Sequence, residues 1–344
     1  MECNEHSARV DHVPSALLIT NLCPEGDAFL GLGTPQDGVL EDFQICTQTL
    51  ALASPVFKKL LRGDMNEAQA ILAGEKPRIN LTNDDHNAME NILRVLHHCP
   101  GATGPENLDR TARIAILSDK YDCTRIFRPW LAYWLMSLEL TSSPVDIGLR
   151  LLIDFTMKSS NFTETSKSAI KELSISNVES WENHELLSLL PSYLENDLIS
   201  KIEDNLDWIR GTMSDAESDL GKIKKANAMK YVECLNCGRR HPAGAQKCHP
   251  CHGFSELRTL YCTSELRVAE YFVLLRQAGL WGHEAFHSSE SFMDILARLE
   301  SAKRGLKHQC DAGSDCPLRR QVDCILRDFH DRSNNLQGLS TAKI

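Results

Sequence analysis

The chain contains no apolar run approaching the roughly 18 residues that a membrane-spanning helix needs, so no membrane partner is expected. Its start, Met1 to Val10, mixes Glu2, Asn4, Glu5, His6 and Arg9 and lacks the basic-then-apolar order of a secretory leader. The expectation is an intracellular protein, cytoplasmic, nuclear or both. Three common catalytic signatures are also missing: there is no phosphate-binding glycine loop, nucleophile elbow or dinucleotide fingerprint. Gly31-Leu32-Gly33 lacks both the third glycine and a following helix. Neither an internal repeat nor a low-complexity tract is present.

What is present suits two domains. A length of 344 residues exceeds one average domain, and 42% hydrophobic with 24% charged residues is an ordinary folded composition. Thirteen cysteines without a leader imply a reducing compartment, where clustered cysteines mean metal and scattered ones mean buried thiols. A formal net charge of -10 weighs against a general nucleic-acid coat. The charge is uneven, however. Residues 195–219 hold eight acids against Lys201 and Arg210, whereas residues 222–258 hold eight Lys or Arg against Glu233 and Glu256.

Residues 1–24 show no clear period and read as an arm. Ala28 to Leu32 and Phe43 to Cys46 read as short strands around a turn-rich Gly33 to Gly38. Ser54-Pro55 is a helix start, because serine accepts from a free N–H while proline at the first helical position gives up a donor without a partner. That helix is predicted to reach Gly63. A polar turn, a strand at Arg78 to Leu81 and a helix burying Met89, Ile92, Leu93 and Leu96 follow. Helices at 108–120 and 123–138 complete an α+β domain. From Pro144 to about residue 229 the pattern is helical, with an apolar stripe Leu194, Leu198, Ile202, Leu206 and Ile209 inside Ser192 to Arg210. Helices are predicted again near 264–278, 290–303, with Ser289 as N-cap, and 317–330.

Gly26-Asp27-Ala28-Phe29-Leu30 and Thr49 through Ser54-Pro55-Val56-Phe57 to Leu61, with Ala88 to His98 and Ile114 to Cys123, together resemble the BTB/POZ domain, in the form common in fungal proteins. The resemblance covers about residues 26–140. It implies a domain without an active site that pairs with itself, with related domains, or with a cullin scaffold that assembles ubiquitin ligases. Cullin-binding members carry a hydrophobic residue, any residue, then Glu after the first helix pair, and Met65-Asn66-Glu67 matches that pattern. The bland reading of those three residues is a solvated loop with one buried methionine. One departure stands out: Cys46-Thr47 occupies the place where the family has a histidine and a basic residue near its dimer groove.

Cys234-x2-Cys237, ten residues, then Cys248-x2-Cys251 is the strongest chemical signal. Two cysteines two residues apart turn both sulfurs toward one ion, and two such pairs complete a thiolate-only tetrahedral shell that suits zinc. With no open position the expected Zn2+ is structural, and its binding energy is folding energy. His241, His249 and His252 are near enough in sequence to replace one cysteine. Arg239, Arg240, Lys230 and Lys247 either solvate the knuckle or contact phosphate. Cys262, His308, Cys310 and Cys316 form a further candidate set, although their spacing matches no standard ligand pattern. Cys324, Cys3, Cys23, Cys46, Cys99 and Cys123 read as scattered thiols.

His283-Glu284-Ala285-Phe286-His287 matches H-E-x-x-H, the zinc protease motif. Gly279 and Gly282 before it and Ser288-Ser289 after it place it in a helix break, and no third ligand follows at the usual spacing. Surface histidines are the better reading. The sequence therefore predicts an α+β BTB/POZ-like domain (25–140) after the arm (1–24). A helical region (141–230), a zinc knuckle (231–254), a C-terminal helical region (255–332) and a tail (333–344) follow. The expected function is non-enzymatic protein–protein interaction, as a cullin adaptor through Met65 and Glu67, with a nucleic-acid-associated nuclear regulator and a metalloprotease as the alternatives.

Overall fold

The structure, a computed structural model, describes residues 18–32, 41–81, 83–99, 104–139, 141–251, 256–281 and 288–340. Helix and strand are mixed, and helix predominates. The described chain divides into two compact units, one holding residues up to Thr141 with Leu149–Ser160, the other Ser142–Gly148 with the chain from Asn161 onward.

Unit 1 is built on a four-stranded sheet of β1 (Leu18–Asn21), β2 (Ala28–Leu32), β3 (Glu41–Ile45) and β4 (Arg78–Leu81), in the order β1-β3-β2-β4. β2 and β3 are antiparallel with Ala28 opposite Ile45, while β1 runs parallel to β3 and β4 parallel to β2. A side chain at Gly31 on β2 would displace the Arg78 guanidinium, which lies over it. That passage lets Arg78 Nε donate to the buried Asp42 Oδ1 at 2.7 Å, tying β4 to β3. The segment read as an arm thus contributes a strand. Its signal was absent because Leu18 and Ile19 are 58% and 55% exposed and the strand is held by its backbone ladder.

Six helices accompany this sheet: α1 (Thr47–Ala53), α2 (Pro55–Arg62), α3 (Asn66–Leu72), α4 (His86–Leu96), α5 (Leu108–Lys120) and α6 (Thr124–Ser137). Ser54 caps α2 as its sequence demands, its Oγ accepting from Phe57 N–H at 3.0 Å while donating to the Tyr121 carbonyl. Leu30, Phe43, Ile45, Leu50, Phe57, Met89, Ile92, Leu93 and Ile114 are fully buried and form the core. Thr47 turns onto Asp27, donating from N–H at 2.8 Å and from Oγ1 at 2.6 Å. The polar turn expected after α2 contains α3, a short helix without a periodic signal because only Ala68 of it is buried.

The helix α7 (Pro144–Thr156) is divided between the units. Unit 2 centres on α10 (Ser192–Lys222), against which α8 (Phe162–Glu172) and α9 (Ile175–Glu179) pack. α10 runs twelve residues past the expected end at Arg210, because Gly211 meets no neighbour and Met213, Ala216 and Leu220 continue the buried stripe. A three-stranded antiparallel sheet follows, β6-β5-β7, from β5 (Asn227–Cys234), β6 (Arg240–Pro242) and β7 (Leu257–Cys262). Of the region read as helix to 230, only residues from Asn227 on are strand instead, and the knuckle read at 231–254 is flanked by β5 and β7 of this ribbon, the latter ending at Cys262. α11 (Ser264–Gln277), α12 (Phe292–Arg304) and α13 (Pro317–Asn335) complete the unit. Ser291, not Ser289, caps α12, in a capping box with Asp294, which fits the buried Phe292 and Ile295 that follow.

Candidate metal centres

The first centre forms where β5 leaves the ribbon. Cys234 ends β5, its N–H donating to the Arg239 carbonyl at 3.0 Å, and Gly238 N–H donates back to the Cys234 carbonyl at 2.8 Å. This tight loop needs φ +66 at Gly238, which glycine adopts without a Cβ penalty. Cys248 and Cys251 close a second loop, Cys251 N–H donating to the Cys248 carbonyl at 3.3 Å. All four sulfurs lie within 4.8 Å of one another, with Cys234–Cys251 at 3.8 Å and Cys237–Cys248 at 3.6 Å. A disulfide would need about 2.05 Å. A zinc–sulfur bond of about 2.3 Å sets the tetrahedron edge at about 3.8 Å, which these contacts match.

Thiol chemistry agrees with a cation. Burial opposes ionisation of Cys234, but backbone N–H groups of Cys237 and Asn236 and the neighbouring thiols bring its pKa down. Cys251 is pushed up, first by its bonds to Cys237 and Cys248, and Cys248 is raised by burial and by Cys237. Without a cation one thiolate makes the next costlier, so the full donor set ionises only around a positive ion. His241 is not one of the four, but its Nε2 sits 3.2 Å from Cys248 Sγ. Arg240 stacks over Tyr231 at 4.5 Å, and Arg258 pairs with Glu233 at 2.9 Å.

The second set also assembles. Cys262 ends β7, His308 and Cys310 lie between α12 and α13, and Cys316 is the N-cap of α13. Their four donor atoms lie within 4.8 Å of one another and all four residues are buried. Main-chain bonds fix the segment: Lys230 N–H donates to Gln309 O at 3.1 Å, and Asp311 N–H to Ala228 O at 2.8 Å. Cys262 and Cys316 sulfurs stand 3.8 Å apart, and His308 Nε2 lies 3.2 Å from Cys316 Sγ. Burial resists charging the His308 imidazole, yet Cys316 and Glu270 raise its pKa. Burial likewise resists the Cys316 thiolate, while His308 and the N–H groups of Leu318 and Arg319 lower it. Cys262 is raised by burial and then by the neighbouring Cys316 and Cys310 thiols.

Both clusters of four ligands can hold a metal ion such as zinc. They occupy opposite ends of one ladder, since Cys234 pairs with Leu257 and Asn227 with Cys262. Of the remaining cysteines, Cys123 is buried, whereas Cys23, Cys46, Cys99 and Cys324 are half-buried rather than core thiols. Cys3 and His283, Glu284 and His287 lie outside the described residues, as do His252 and Gly253. Among the described residues no helix is long and apolar enough to cross a membrane. Sequence reasoning missed Glu270 and Arg267, whose relation to the ligands arises only in three dimensions. The chain matches no protein-family model, no curated protein and no solved structure.

Proposed function

We propose that the chain is a non-enzymatic protein-interaction module, with a BTB/POZ-type domain that docks a partner and a second unit stiffened by structural zinc. The four stretches that carry the resemblance all fall in unit 1, on β2, α1 with α2, α4 and α5. The observation that carries the docking reading is a run of exposed apolar side chains on α1–α3. Leu52 is 79%, Met65 43% and Leu72 76% exposed, and Val56 is also exposed. Large apolar side chains left exposed on three successive helices are the kind of surface a protein contact covers.

Met65 is the N-cap of α3 and Glu67 lies in its first turn, so Met65-Asn66-Glu67 opens a helix and does not form a loop around a buried methionine. In the adaptor reading Met65 enters a cullin pocket, Glu67 rims it, and unit 2 selects the substrate. The zinc knuckle would serve this by holding the ribbon in shape, because an all-cysteine shell offers no open coordination position for catalysis. The nucleic-acid alternative has less behind it. Arg240 and Arg258 of the basic segment are already engaged by Tyr231 and Glu233.

The test is calorimetric titration of the full chain with a purified cullin N-terminal region. Binding by wild type that weakens at least about tenfold with Met65→Ala and with Glu67→Lys supports the adaptor. No binding by the folded wild type removes it.

A further inference from the structure

We propose that Cys262, His308, Cys310 and Cys316 form a second, buried zinc site whose net negative charge is balanced by the buried Arg267, with Glu270 orienting the histidine ligand. The inference stands apart from the docking reading and from the Cys234 knuckle, and the experiment below separates their failures.

The ligand geometry comes first. Glu270 Oε2 accepts from His308 Nδ1, so Nδ1 carries a proton and Nε2, 3.2 Å from Cys316 Sγ, is the ring atom that would bind the ion. A carboxylate behind a ligating imidazole fixes its tautomer and orientation in this way. The Cys262–Cys316 separation of 3.8 Å is the edge expected of a tetrahedron on one zinc ion. Donors that all lie within 4.8 Å of one another enclose a single ion, not an iron–sulfur cluster.

Arg267 supplies the independent observation. It is 0% exposed, on α11, one turn before Glu270. Its Nη2 donates to the carbonyls of Ile223 at 2.6 Å and Lys225 at 3.0 Å, beyond the end of α10. Among the described residues its Nε and Nη1 have no hydrogen-bond partner. A fully buried guanidinium held by carbonyls alone is strongly destabilising unless a negative charge lies near it. Three thiolates and a neutral imidazole around a divalent ion carry a net charge of minus one. Arg267 sits at the start of α11, which begins two residues after Cys262, and its backbone N–H donates to the Thr263 carbonyl at 3.1 Å. The metal site and the buried arginine thus account for each other. The ion would join β7, the segment before α13 and the first turn of α13, while Arg267 ties the same site to the end of α10.

The experiment is zinc-edge X-ray absorption on the purified full chain, with metal content measured on the same sample. Two ions per chain sharing seven sulfurs and one nitrogen supports both centres, with Zn–S near about 2.3 Å and Zn–N near about 2.0 Å. One ion with three sulfurs and one nitrogen supports this site and overturns the Cys234 knuckle. One ion with sulfur ligands only, or none, overturns this site. Chelator competition then tests the counter-charge. In Arg267→Met one of the two ions should leave at least about tenfold faster, the other at the wild-type rate, with Arg267→Lys restoring retention. Release of both ions at wild-type rates from Arg267→Met refutes the role given to Arg267.

Discussion

Metal removal should dismantle the ribbon of unit 2 and leave unit 1 intact. In the β5-β6-β7 sheet, Met229 and Val232 are the buried apolar side chains apart from the thiols. Each contributes about 1.5 to 3 kcal/mol, together about 3 to 6 kcal/mol. A structural zinc contributes roughly 10 to 16 kcal/mol of apparent folding energy at neutral pH, so the metal term is the larger. Removing it also leaves crowded thiols that resist ionising together. The assay is amide hydrogen exchange read by mass spectrometry on full chain with zinc bound and after chelation, metal content being measured on both. Protection in the segment 227–262 should fall by at least about a hundredfold, and that of α4 and α5 should stay within about threefold. Unchanged protection of the ribbon in metal-free chain would refute the argument that zinc is what orders it.

Two further perturbations probe unit 1 by the same exchange readout. Ser54→Ala removes the α2 cap and leaves the Tyr121 carbonyl without that donor, so opening of α2 and α5 should become easier by about 2 to 4 kcal/mol. An effect below about 0.5 kcal/mol would show that the cap is replaced by water. Burial holds the His97 pKa below its ordinary 6.5, against the pull of the Leu93 carbonyl, and its Nε2 accepts from Cys46 N–H at 3.1 Å. The folded state therefore binds fewer protons than the unfolded chain. This contribution is fully present above about pH 6.5 and is lost as pH falls below it, toward the depressed folded-state value. His97→Gln should flatten the acid slope of α4 exchange, and an unaltered slope would assign it to other groups.

Where the sequence was readable, local chemistry decided the outcome. Ser54-Pro55 starts α2 because cap and proline act within one turn, and β2, β4 and α5 carry periodic apolar residues that point into one core. The ribbon was not readable as strands. A bulge between Ala228 and Val232 breaks the alternation on β5, and β7 places only Cys262 in the interior. Its order comes from main-chain ladders and ligands instead. The same contrast separates the two metal centres. Cys234, Cys237, Cys248 and Cys251 meet through short loops, so their spacing announces them, whereas Cys262, His308, Cys310 and Cys316 meet only once α11, α12 and α13 are packed. Arg267 and Glu270 sit on α11, whose side-chain pattern gives no hint that one is buried and the other faces a histidine.

The proposal that both centres are closed and structural rests on the four protein ligands that each brings together. Cobalt substitution tests it most directly. The account predicts thiolate-rich tetrahedral absorption that is unchanged on adding azide, because every coordination position is filled by the chain. A spectrum that shifts on azide addition would reveal an open position and contradict the account.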